Sequence, residues 1–171
     1  MQIRVKESGA VMYEDEFRRL HTGLGLPKIL TEAVINEWGG DIVFEGPQAT
    51  GGTVYQYSQR SGVEQLEGKW YTKYILGPVF TDTPATDFQP AQTAAEQETA
   101  YKAMKDAERA ASVRSQRTQL LKDCDWTQIA DSTADKTAWA TYRQALRDIT
   151  GQAGFPWTIT WPKDPNWVEP A

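Results

Sequence analysis

Alternating polar and apolar positions mark the first eighty residues of the chain. Short alternation of this kind is typical of half-buried β-strands bounded by turns. Strands are predicted at residues 2–6, 11–13, 41–45, 53–58 and 69–77, and residues 59–65 either continue the fourth strand or pair with it. Short helices are predicted at about 13–20 and 31–38. These elements predict a small α+β unit whose sheet is mainly antiparallel.

A helical pattern replaces the alternation after residue 90. Residues 91–124 contain neither glycine nor proline and are dominated by strong helix formers, so they predict one long helix. The apolar stripe of its first half is thin, and we expect that half to project into solvent or to pack against another chain. A second helix is predicted at about 134–149, because its apolar residues recur on one helical face.

The C-terminal tail is rich in tryptophan and proline. In an extended segment Trp157, Ile159 and Trp161 would share one face. Three prolines are expected to keep the tail out of helices, namely Pro162, Pro165 and Pro170.

The predicted fold class is therefore α+β, with three parts in order. Residues 1–80 form an N-terminal partner-binding unit, and residues 81–90, with two prolines and several threonines, form a linker. Residues 91–171 form the long helix and a C-terminal helical hairpin that the Trp/Pro tail closes.

Composition restricts the class of function. The chain has 171 residues, 40% of them hydrophobic, and a formal net charge of −5. The acidic balance argues against a nucleic-acid partner, because nothing would neutralise a run of phosphates. The N-terminus lacks the apolar segment of a secretion signal, and no apolar run approaches the ~18 residues that span a membrane. We therefore expect synthesis in the cytosol and no membrane partner.

Residues with catalytic or metal-binding chemistry are sparse. One cysteine excludes an internal disulfide, and one histidine and one cysteine make a zinc site improbable. Cys124 and His21 could be drawn as a nucleophile pair, but Cys124 follows two leucines at a helix end and is more simply a small core residue. The glycine-rich segment at Gly23 lacks the later glycine and lysine of a phosphate loop. No catalytic constellation is found, so neither an enzyme nor a cofactor is predicted.

Aromatic residues are the one group that predicts a binding site. Tryptophan and tyrosine are enriched at interface hot spots, although the same residues could simply cover the helical hairpin or offer a platform to a sugar. The predicted partner-binding residues are Tyr55, Tyr57, Trp70, Tyr101, Trp157, Trp161 and Trp167. The residues predicted to be structural are Trp126, Trp139, Tyr142, Leu146, Phe155 and Pro156.

The C-terminal third carries a recognisable pattern. It reads RTQLLKDCDWTQIAD from Arg117, then WATYRQALRDITGQAGFPWTITWPKDP from Trp139. Three blocks in this order and spacing resemble the C-terminal module of bacteriophage tail assembly chaperones, the tail fibre assembly group. The resemblance covers about residues 117–165, and a weaker one, around a Gly-Lys-Trp strand, covers about 68–100.

The resemblance implies a non-enzymatic protein that binds a tail fibre or receptor-binding protein and assists its folding, trimerisation or attachment. It implies action in the host cytoplasm during phage assembly, with retention in the virion tail left open. Partner specificity is expected in the N-terminal unit, and the long helix could mediate self-association. Two alternatives remain at this point: a permanent fibre or baseplate adaptor in the virion, and a carbohydrate-binding tail protein.

Overall fold

The computed structural model describes residues 1–167, so Pro170 of the predicted tail lies outside the described residues. The chain divides into two compact units, Met1–Val79 and Phe80–Ala171. Within residues 1–167, no helix combines the length and the apolar character that a membrane crossing requires.

The first unit is a five-stranded sheet with two short helices. Its strands are β1 (Gln2–Val5), β2 (Val11–Tyr13), β3 (Gly40–Phe44), β4 (Tyr57–Leu66) and β5 (Lys69–Gly77). Their order across the sheet is β2-β1-β3-β5-β4. The β3–β5 pair is parallel and the other pairs are antiparallel. The helices are α1 (Glu14–Leu20) and α2 (Glu32–Glu37). The predicted α+β class is confirmed.

The two helices of this unit pack over one face of the sheet. Ile3 of β1, Phe17 of α1 and Ile35 of α2 are fully buried together. Gly40 lies beneath them, where a Cβ atom would come within 2.8 Å of the Cγ2 atoms of both Ile3 and Ile35. A side chain at this position would force the core apart, so glycine is needed at the start of β3.

The sheet is curled. Arg60 of β4 donates a hydrogen bond to the side chain of Gln2 on β1. These strands are three positions apart in the sheet order, a separation of ~14 Å if the sheet were flat. The bond therefore requires the sheet to bend toward the face that carries Arg60 and Gln2.

The start predicted for the fourth strand is wrong. Residues 53–56 form a turn in which the Gln56 N–H donates to the Thr53 carbonyl at 3.0 Å. The Gln56 side chain accepts from the Thr53 N–H at 3.1 Å, so these backbone groups are satisfied locally and do not join the sheet. The strand begins at Tyr57 and continues to Leu66, with a bulge between Arg60 and Val63. The alternative in which residues 59–65 continue the strand is the correct one.

The second unit is built on α3 (Ala94–Asp123) and α4 (Lys136–Asp148). Short 3₁₀ helices follow each of them, at Asp125–Gln128 and Ile149–Gly151. The long helix begins three residues later than predicted, because Thr93 and Glu96 form a capping box. Before it, Gln92 pairs with Thr83 and closes residues 83–92 into a loop whose residues are all exposed.

The core of the second unit joins the C-terminal half of α3 to α4. Val113 and Cys124 are buried with Trp139, Leu146 and Ile149. Ile159 and Trp161 of the tail pack against the edge of this core. The predicted extended segment is interrupted around Trp157, because turns occupy residues 153–157 and the Thr158 N–H donates to the Gly154 carbonyl at 2.7 Å.

Candidate partner-binding surfaces

The three aromatic residues predicted to bind a partner from the first unit lie in different surroundings. Tyr57 begins β4 and is 55% exposed. Trp70 is half-buried on β5, and the guanidinium carbon of Arg4 lies 4.0 Å from its ring centroid. Tyr55 is half-buried within the turn that precedes β4. The structure therefore offers Tyr57 to a partner more fully than the other two.

A gap between the two end strands forms a cavity in the first unit. Val11 and Tyr13 of β2 line one side, and Arg60 and Val63 of β4 line the other, with Gln2 beneath. The cavity has a volume of about 410 Å³. It exists because the curl brings the ends of the sheet toward each other without joining them. Sequence reasoning missed this site, since no local pattern reports sheet curvature.

Tyr101 lies in the first half of α3. Its ring centroid is 5.5 Å from that of Phe80, and the Lys105 ammonium is 5.7 Å from the Tyr101 ring. Tyr101 is half-buried by these neighbours. On the same helix half, Ala95, Thr99, Ala100 and Ala103 line a shallow, largely apolar strip together with Glu96.

The three tail tryptophans have separate roles in packing. Trp157 donates from Nε1 to Asp106 Oδ1 at 2.6 Å, and Trp161 packs on the core. Trp167 is 43% exposed, and the Lys163 ammonium lies 3.5 Å from its ring centroid. One face of this ring is therefore covered by a cation, which leaves less of it to stack on a sugar. Trp167 stays a predicted partner-binding residue.

The residues predicted to be structural form an aromatic row beside the core. Trp126 meets Trp139 edge-on at 5.9 Å between ring centroids, and Trp139 meets Tyr142 at 5.6 Å. Trp139, Tyr142 and Leu146 are buried, but Trp126 is 50% exposed. Burial raises the pKa of Tyr142 above its ordinary value. Trp126 thus combines a packing contact with an accessible surface.

Phe155 and Pro156 lie within the turn at residues 153–157. Both are half-buried, and Phe155 packs against the core while the Arg114 guanidinium lies 5.4 Å from its ring centroid. The contact connects this turn to α3, and the structural role of the pair stays a prediction.

Arg143 connects α4 to the end of α3. Its guanidinium donates to the Leu121 carbonyl at 2.8 Å and to Cys124 Sγ at 3.0 Å, and it pairs with Asp125 at 2.8 Å. Burial alone would lower the pKa of Arg143, but these hydrogen bonds outweigh it, so the pKa is raised and the charge is retained. The cluster satisfies carbonyl groups at the end of a helix and is structural in character.

Phe88 is an exposed residue that sequence reasoning missed. Its side chain is 95% exposed at the tip of the 83–92 loop. The loop is ordered by hydrogen bonds, including that from the Thr86 N–H to the Gln89 carbonyl at 2.8 Å. The signal in the sequence was a single aromatic residue among threonine, aspartate and proline, where burial is not expected.

Metal-binding and nucleophilic groups do not converge in the described part of the chain. Residues 1–167 contain no cluster of three or more histidine, cysteine or acidic side chains that could hold a metal ion. Cys124 is buried and hydrogen-bonded to Leu121 and Arg143. His21 has its Nδ1 2.9 Å from the Phe17 carbonyl and lies against Trp38. Each is thus engaged within its own unit.

Comparison with known proteins gives one match. No curated protein and no solved structure shows significant similarity to this chain. A family model described as phage tail assembly chaperone protein matches residues 110–166. This range contains α4, the Arg143 cluster, the aromatic row and the tail up to Asn166. The predicted family resemblance of the C-terminal module is therefore confirmed: residues 110–166 are similar to phage tail assembly chaperone proteins.

Proposed function

We propose that this protein binds a tail fibre or receptor-binding protein in the host cytoplasm and assists its folding, trimerisation or attachment, without catalysis. The match of residues 110–166 to the tail assembly chaperone family carries the proposal. The core of this module is closed by its own residues, with Leu146 and Ile149 fully buried. Trp126 of this module and Trp167, which directly follows it, are partly exposed and are candidate contacts.

The folding problem of a fibre explains why such a partner is needed. Trimeric β-rich fibres depend on contacts between distant parts of the chain and between chains, so they fold slowly. Their unpaired strand edges are liable to aggregate in the meantime. A small acidic protein that covers an edge until the trimer closes would raise the yield of native fibre.

Partner specificity is assigned to the first unit. The family match covers residues 110–166 and does not include the first unit. The first unit carries exposed Tyr57 and the gap between β2 and β4. These features can distinguish one fibre from another through side-chain contacts and strand pairing.

Co-expression with a tail fibre protein of the same phage tests the function. We expect more soluble fibre and more trimer with the full chain than without it, measured by sedimentation and unheated gel electrophoresis. A useful control is Ile149→Asp, which places a charge in the core and should abolish the effect by unfolding the module. Equal yields of trimer with and without the chain would contradict the proposal.

The assignment of specificity has its own test. A fragment of residues 80–171, first shown to be helical by circular dichroism, is compared with the full chain in a fibre pull-down. Weaker capture by the fragment is expected. Equal capture would show that the first unit does not set specificity.

A second candidate is a fibre or baseplate adaptor that stays in the virion. The strip on α3 formed by Ala95, Thr99, Ala100 and Ala103 favours it, because small side chains allow another helix to approach closely. The same strip would support self-association. Quantitative mass spectrometry of purified particles separates the two functions, since an adaptor is present in fixed proportion to the other tail proteins and a released chaperone is absent.

A further inference from the structure

The first unit holds a curled sheet whose end strands are β2 and β4. The Arg60–Gln2 hydrogen bond connects β4 to β1 across the concave face, while β2 lies beyond β1 at the end of the sheet. Within residues 1–167, β2 and β4 each pair with one neighbouring strand. The cavity of about 410 Å³ lies between their unpaired sides.

The hydrogen bonds of β2 show which backbone groups face this gap. The Val5 N–H donates to the Ala10 carbonyl at 2.8 Å, and the Glu14 N–H donates to the Met1 carbonyl at 3.2 Å. Hydrogen-bonded pairs alternate with non-bonded pairs along an antiparallel ladder. With Arg4 opposite Val11 in the register, the N–H and C=O of Val11 point away from β1 and into the gap.

On β2, the backbone N–H of Val11 is the donor that remains available to a strand in the gap. Tyr13 has the same orientation in the ladder, but its N–H donates to Glu16 Oε2 at 2.9 Å. On the other side of the gap, β4 is bulged between Arg60 and Val63, and Gly62 has a φ of 80°. Bulges twist the edge of a sheet and interrupt continuous pairing. The edge of β4 can therefore pair with a short added strand but not with a long one.

We propose that the gap between β2 and β4 binds a short extended segment of the fibre protein as an added strand. This inference rests on the proposed function and names the site of contact. Main-chain donors and acceptors of Val11 would pair with the segment, which is the chemistry of strand addition. Val11 and Val63 flank the cavity and favour small apolar side chains on the segment.

Charge further restricts the occupant. Glu16 lies at the β2 side of the cavity and Arg60 at the β4 side, so the cavity contributes one charge of each sign. A segment without net charge therefore fits, and neither a polyanion nor a polycation gains from entering. A strand three to four residues long would match β2, whose three residues span ~10 Å.

The test compares Val11→Pro with Val11→Thr in the full chain. Proline removes the outward N–H without removing a hydrogen bond to β1, and threonine retains the donor in a side chain of similar shape. Circular dichroism and melting temperature should be alike for the two variants. Fibre binding is expected to fall about tenfold for the proline variant and to stay near the parent value for the threonine variant.

A synthetic probe separates this inference from the proposed function. The probe is a capped six-residue peptide of alternating threonine and valine, and its control is N-methylated at alternate residues so that one edge lacks donors. We expect the unmodified peptide alone to slow amide exchange at Val11. If the parent chain does not bind the fibre but this protection is seen, the proposed function fails and the strand site stands.

Two results would overturn the strand site. If the parent chain binds the fibre, the first such result is equal fibre binding by the proline and threonine variants. If the parent chain does not bind the fibre, it is an amide exchange rate at Val11 that neither peptide changes. The second is protection of Val11 in the unliganded protein that disappears on dilution, because the occupant would then be a second copy of this chain.

Discussion

The indole Nε1 of Trp157 donates a hydrogen bond to Asp106 Oδ1 at 2.6 Å, across 51 positions of the sequence. The contact attaches the turn after α4 to the middle of α3. Since the apolar stripe of α3 is thin before Val113, polar contacts of this kind carry more of the packing there. The GFPW motif of the tail is thus an anchor for the long helix as well as a family signature.

Removing either partner of this bond should destabilise the second unit. Trp157→Phe and Asp106→Asn are each expected to lower the free energy of unfolding by ~1–2 kcal/mol, because a hydrogen bond to a charged group is lost or weakened. Urea unfolding followed by circular dichroism measures both. The double variant should show coupling, whereas Glu108→Gln on the exposed side of α3 should have little effect. Strict additivity of the two changes would contradict the contact.

Arg143→Lys should be strongly destabilising although the charge is kept. A lysine ammonium cannot reach the Leu121 carbonyl, Cys124 Sγ and Asp125 together, so buried acceptors lose their partner. We expect a loss of ~2–3 kcal/mol, most of it from the two buried contacts, because Asp125 is largely exposed. Thermal unfolding measures the loss, and Arg147→Lys on the exposed face of α4 is the matched control. Equal melting temperatures for the two variants would remove the structural role of the Arg143 cluster.

The start of α3 should loosen in acid. Hydrogen bonds from the backbone and side chain of Thr93 lower the pKa of Glu96 below its ordinary value of 4.5. A depressed carboxyl pKa stabilises the folded state above the unfolded pKa, and the contribution is lost as the pH falls below 4.5 through the folded pKa. The protection factors of the amides of residues 94–97 are the ratios of intrinsic to observed exchange rates. They should therefore be smaller at pH 3 than at neutral pH.

Glu96→Gln is the control for this acid effect. Glutamine can complete the same capping box but does not titrate, so the extra loss of protection in acid should vanish. If the glutamine variant lost protection in the same pH range as the parent, another group would be responsible.

At the other end of the pH range, Tyr142 should couple stability to alkali. Burial raises the pKa of its phenol above 10.0. A raised pKa means that the stabilising contribution is complete below the unfolded pKa and is lost as the pH rises through the folded pKa. Ultraviolet titration should show a late-ionising tyrosine, and Tyr142→Phe should remove both that component and part of the alkaline loss of stability. If the Tyr142→Phe variant gave the same titration curve as the parent, the late-ionising component would not belong to Tyr142.

Phe88 is expected to contribute to fibre binding and not to the stability of the fold. Its side chain is almost fully exposed, so Phe88→Ser should change the free energy of unfolding by less than ~0.5 kcal/mol. We expect weaker capture of the fibre by this variant, because an aromatic residue held at the tip of an ordered loop gains area on docking. Thr86→Ser, which retains the hydroxyl that accepts from the Phe88 N–H, is the control. Unchanged capture would exclude the loop from the interface.

Local patterns were sufficient for several elements. The apolar stripe from Ala138 to Ile149 predicted a buried helix face, and Trp139, Tyr142, Leu146 and Ile149 of this stripe are buried. The class of the first unit followed from alternation in strands such as β1 and β5. These features depend on neighbours within a few residues, so they can be read along the chain. The family signature is of the same local kind, and it led to the correct C-terminal module.

Other features were not predicted by the alternation of polar and apolar residues. The start of β4 was missed because Thr53 and Gln56 satisfy each other in a turn. The Arg60–Gln2 contact joins residues 58 positions apart, and the curl it accompanies creates the gap at Val11. A strand pattern specifies which side chains share a face, but not how far the sheet bends or which edge stays unpaired.

Taken alone, the amino-acid sequence determined the kinds of element, the buried stripe of α4 and the family resemblance, because each arises from periodicity or from adjacent residues. Only the tertiary structure decided that Trp157 anchors α3 and that a cavity lies between β2 and β4. It also decided that Phe88 stands exposed. The Trp157 contact and the unpaired strand edges depend on the free energy lost when a polar group is buried without a hydrogen-bond partner. Residues far away in the chain decide whether such a partner is present.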